Sequence, residues 1–85
     1  MEETKPTAAQ RKVIAELDAS YYLSEQDSYR WVKVYRHQDD ERHVVVDTRL
    51  TKIVKRFPNG ESSWSKAARF ATDYYWAHRE ADEWY

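Results

Sequence analysis

The chain has 85 residues, 15% aromatic and 34% charged, with 14 basic and 15 acidic side chains, a formal net charge of −1 and no cysteine. That length supports one small core, and the aromatic content is that of a folded globule rather than a polar tail. The charge balance gives no global drive toward nucleic acid or membrane, disulfides and thiolate metal sites are excluded, and the longest aliphatic run, Val44-Val45-Val46, is too short to span a bilayer.

Residues 1–6 are polar and unlike a signal peptide, so they read as a flexible lead into a single domain over residues 7–85 of a soluble, cytoplasmic protein. Thr7 and Gln10 have the spacing of a capping box, in which each side chain satisfies a free amide of the other. Val13, Ile14, Leu17 and Tyr21 then recur at helical spacing, which predicts a helix over 8–20. Ser24 to Ser28 is a polar break. Tyr29 to His37 alternates, with Tyr29, Trp31, Lys33, Tyr35 and His37 expected on one face. Arg42 to Thr48 and Leu50 to Phe57 follow as β-branched runs.

A short acidic turn at residues 38–41 makes the first two strands a hairpin. Asp47-Thr48-Arg49 is a weak turn signal, and the second and third strands are readable as one long bent strand. Pro58-Asn59-Gly60 is a strong turn, with the single glycine where a positive φ is cheap. Ser62 or Ser63 caps a last helix over residues 64–85. The expected fold is α+β: helix, three-stranded antiparallel meander, helix, with both helices on one face of the sheet.

Motifs that carry catalysis are missing from the sequence. One glycine excludes the usual phosphate-cradling loops, and no serine lies in a glycine-flanked elbow. His37 and His43 bracket Asp39, Asp40 and Glu41 at the hairpin end, a set of legitimate metal donors, but the arrangement reads as a solvated turn. His78 reads as a core histidine bonded to a tyrosine or a backbone carbonyl. Neither a metal nor a cofactor is expected, and the chain does not read as an enzyme.

Three surfaces stand out. On the last helix Trp76 falls opposite the apolar face, among Arg69, Asp73, Arg79 and Glu80, a composition typical of protein-binding hot spots. Residues 30–56 hold eight basic side chains against four acidic ones. Trp31, Lys33, Tyr35, Arg49, Lys52, Lys55 and Arg56 would form the nucleic-acid face of that block, aromatics stacking bases and cations meeting phosphates. Trp84 and Tyr85, at the chain end, are candidates for self-association, making the protein a monomer or a homodimer. The first surface leads to the main expectation: a non-enzymatic module that binds a protein target as an inhibitor or adaptor.

The order helix, three strands, helix is similar to that of double-stranded RNA-binding domains. That family carries a lysine cluster at the start of its second helix, where this chain has only Lys66 and Arg69. In size and style, cysteine-free and rich in charge and aromatics, the chain also looks like small phage-encoded anti-defence proteins such as anti-CRISPRs.

Overall fold

The computed structural model describes residues 5–24 and 29–79. The capping box forms as its spacing predicts: Thr7 Oγ1 accepts from the Gln10 amide at 3.1 Å, and Gln10 Oε1 accepts from the Thr7 amide at 2.7 Å. It opens helix α1 (Ala8–Ser20). The chain then pairs at once as β1 (Tyr21–Leu23), followed by β2 (Val32–His37), β3 (His43–Asp47), β4 (Lys52–Phe57) and helix α2 (Ser63–His78). The sheet is a four-stranded antiparallel meander in the order β1-β2-β3-β4.

The expected three strands thus become four. β1 escapes the sequence pattern because Tyr21-Tyr22-Leu23 is three residues long and continues the periodicity of α1. The junction after β3 is a true turn, with Asp47 paired to Lys52 across it.

The two helices lie on opposite faces of the sheet, which corrects the expectation of one. Val45, with Val32 and Val34, packs against Ala67, Ala71 and Tyr75 of α2. Its neighbours Val44 and Val46 pack against Leu17 of α1. Successive side chains of a strand point to opposite faces, so three consecutive buried valines require cover on both sides. All five residues of β3 are buried, which makes it the centre of an α/β/α sandwich.

β4 matches this two-sided core through a bulge. Val46 faces Ile53 but Val45 faces Lys55, so Val54 is the extra residue. The phase change lets Ile53 join the α1 side while Val54 and Phe57 join the α2 side. Without it the spacing of those three residues fits no alternating strand.

The turn before α2 differs from expectation in one respect. Gly60 does not adopt a positive φ. Ser62 occupies the N-cap position of α2 without a side-chain cap bond. Ser63 is buried instead, its hydroxyl 2.8 Å from His43 Nδ1, which ties the helix start to β3. At the other end Arg79 is extended, and α2 stops at His78, so the predicted helix over 64–85 is shorter on the described residues.

Candidate binding surface at the end of the second helix

Tyr29 and Val32 exchange backbone hydrogen bonds at 2.8 and 3.0 Å, closing a tight turn whose corners are Arg30 and Trp31. Arg30 takes a φ of 56°, a left-handed conformation that glycine would adopt at less cost. This turn re-aims the chain. Trp31 leaves the alternation expected of it and packs on the α2 side, 5.2 Å from the Tyr75 ring and 6.1 Å from Tyr74. Lys33 and Tyr35 stay on the α1 side, so Trp31 is parted from them by the sheet.

Against this turn stands the C-terminal part of α2. Tyr29 meets Tyr75 edge-on at 4.8 Å and lies 6.3 Å from Trp76. Trp76 is 44% exposed, with the Arg79 guanidinium 5.2 Å from its ring centre. Arg30 lies 5.8 Å over Tyr75, and Arg49 stacks on Trp31 at 3.3 Å. The result is a surface of aromatic rings overlaid by guanidinium groups, each pair contributing about 0.5–1 kcal/mol where exposed.

Asp73 and Arg69 are exposed one and two turns back, respectively, on the same side of α2 as Trp76. Glu80, Trp84 and Tyr85 lie outside the described residues. Helical spacing alone identified Trp76 but not Tyr29 or Arg30, which arrive from a turn distant in sequence.

Under this surface lies a buried carboxylate. Asp47, fully buried, accepts from the Arg49 guanidinium at 3.2 and 3.3 Å, from the Arg49 amide at 3.0 Å and from the Tyr74 hydroxyl at 3.0 Å. Burial pushes its pKa up, but the hydrogen bonds from Arg49 and Tyr74 together outweigh burial and hold the carboxyl below its usual range. The same contact, after burial, raises the Tyr74 phenol. His78 stacks on Tyr74 at 4.1 Å and donates from Nδ1 to the Tyr74 carbonyl, but it is exposed rather than core.

Four of the eight basic side chains of the block form ion pairs within the chain, among the described residues. Arg36 pairs with Glu41, Arg42 with Asp40, Arg49 with Asp47 and Arg56 with Glu16, all at 3.0–3.2 Å. The Arg56 hydrogen bond lowers the Glu16 pKa, and the Arg42 backbone and guanidinium lower that of Asp40. Lys52 and Lys55 are exposed on the edge strand β4, where charge also deters edge pairing. The expected nucleic-acid residues are therefore scattered over two faces and an edge.

At the hairpin end His43 stands on the α2 side and His37 on the α1 side, edge-on to Tyr21 at 5.1 Å. Among the described residues no group of three or more His, Cys, Asp or Glu is placed to hold a metal ion, and no helix is long and apolar enough to cross a membrane. Compared with family models, with curated proteins and with solved structures, the chain matches none.

Proposed function

We propose that this chain is a small non-enzymatic protein-binding module, an inhibitor or adaptor acting on a larger partner, with Trp76 at the centre of its contact surface. The observation that carries this reading is a tryptophan 44% exposed on the outer side of α2, with Tyr29, Tyr75 and Arg79 around it. Trp, Tyr and Arg dominate interface hot spots: the two aromatics bring large rigid area at low entropic cost, and Arg brings multiple donors. Tyr29 and Tyr75 limit how far the Trp76 ring can move, so less freedom is lost on binding.

The test is affinity capture from a nuclease-treated lysate with wild type, Trp76→Ala and Arg30→Ala, folding checked by circular dichroism. A stoichiometric protein held by wild type and lost by the folded Trp76 variant is the expected result. Equal retention by all three removes the reading. Retention of nucleic acid only, abolished by nuclease, would transfer function to the basic strands.

A further inference from the structure

The α1 side of the sheet is incompletely covered. Thirteen residues of helix lie over four strands, and only Leu17 of α1 is buried. Beside it opens a cleft of about 220 Å³. Its floor is apolar, from Leu17 and Val46, with Tyr35 along one wall, and its rim is polar, from Asp18, Thr48 and Thr51. Ile14, also on the lining, is 39% exposed, and Leu50 beside the rim is 51% exposed.

Three features define what fits. The volume falls below the roughly 300 Å³ at which drug-sized ligand sites begin, and suits a single side chain. Asp18 is the one charged residue of the lining and forms no ion pair within 4.0 Å among the described residues. Thr51 is held at a φ of 47°, a conformation strained for a β-branched residue, and this places it on the rim. An apolar floor ending at a carboxylate and a hydroxyl is complementary to a methylene stem ending in a cation, the amphipathic form of lysine and arginine.

We infer that this cleft receives a lysine or arginine side chain of a protein partner, its stem on Leu17 and Val46 and its cation at Asp18. The site deepens the protein-binding reading and rests on it for the partner's class, but none of its residues belongs to the Trp76 surface. Lys33 stands on the same sheet face, directly opposite Val46 in the register. Its charge opposes an incoming cation, so its removal has a definite sign.

The experiment is an amide NMR titration of the full chain with N-acetyl-arginine amide, N-acetyl-lysine amide and the neutral analogue N-acetyl-norleucine amide. At least one basic ligand should give saturable shifts at Asp18, Thr48 and Thr51, with affinity severalfold above norleucine. Asp18→Asn, an exposed change that leaves the core intact, should erase that preference. Lys33→Met should strengthen basic-ligand binding severalfold, and Trp76→Ala should leave the titration unchanged. Equal shifts with norleucine, shifts spread away from the cleft, or indifference to Asp18→Asn would overturn the assignment. Because Trp76→Ala is silent here and decisive in the capture experiment, the two readings fail separately.

Discussion

Thr51 and Gly60 illustrate how a single φ sets a local energy. Left-handed backbone costs an L-residue about 1–2 kcal/mol, and Thr51 sits there at 47° with a branched Cβ. Gly60 does not take a positive φ, and a Cβ built on it meets nothing within 4 Å. Gly60→Ala should therefore stabilise by about 0.4–1 kcal/mol, through lost freedom in the unfolded chain. Thr51→Gly relieves strain but loosens the unfolded state, for a net gain of about 0.5–1 kcal/mol. Urea midpoints check both, and a lower midpoint for Thr51→Gly would show that the loop accommodates threonine without strain.

At the same scale, Tyr74→Phe removes a hydroxyl donating to a buried carboxylate and should cost about 1.5–3 kcal/mol at neutral pH. Asp47 has a depressed folded pKa, so its stabilisation is present above the unfolded carboxylate value and is lost as pH falls through the folded one. Both chains share the unfolded carboxyl, so the wild-type advantage over Tyr74→Phe should shrink as pH falls from the folded range of the variant's Asp47 toward the lower folded range of the wild type's. A difference that stays constant while Asp47 takes up its proton in both chains would rule out the charged hydrogen bond as its source.

Elements were legible where local chemistry decides them. The Thr7–Gln10 spacing marked the start of α1, and the acidic turn at 38–41 marked the β2–β3 hairpin. The turn after β3 was faint because its left-handed corner carries Thr51, where glycine or asparagine would have announced it. Val44-Val45-Val46 did hold the two-sided burial, since a strand covered on both faces reads as an unbroken apolar run, yet the opposite placement of the helices became clear only with the packing. For the candidate site, Trp76 was readable from helical spacing. Its partners Tyr29 and Arg30 were not, because the turn that delivers them depends on a positive φ at an arginine.

Gln10 links levels as well: beyond the cap, its Nε2 donates to the Leu50 carbonyl at 2.6 Å, tying α1 to the β3–β4 turn. Thr7→Ala should cost about 1 kcal/mol. Gln10→Ala loses its half of the cap and the tether together and should cost more, by about 0.5–1.5 kcal/mol for the extra bond. Thermal melts that rank the two the other way would show that the tether contributes nothing.

Across the whole molecule the two faces of the sheet are unequal. The α2 face buries Ala67, Ala71 and Tyr75 with Val32, Val34 and Val45, and partly buried Phe57, Phe70 and Trp31 extend it. The α1 face has Leu17 over Val44 and Val46. At about 25 cal/mol per Å² of apolar area, the thinner layer contributes less to holding its helix, and proteins open first where buried contacts are few. Amides of α1 and β1 should therefore exchange through a partial opening, below the free energy at which β3 and α2 exchange. Leu17→Ala should widen that gap, and a basic peptide seated in the cleft should narrow it by binding only the closed form. The Trp76 surface would stay on the rigid half in every case. Native-state hydrogen exchange across low urea concentrations measures this directly. Exchange of α1 and α2 at one common free energy would mean that the sandwich opens as a single unit, with the β3 valines coupling both layers too tightly for either to move alone.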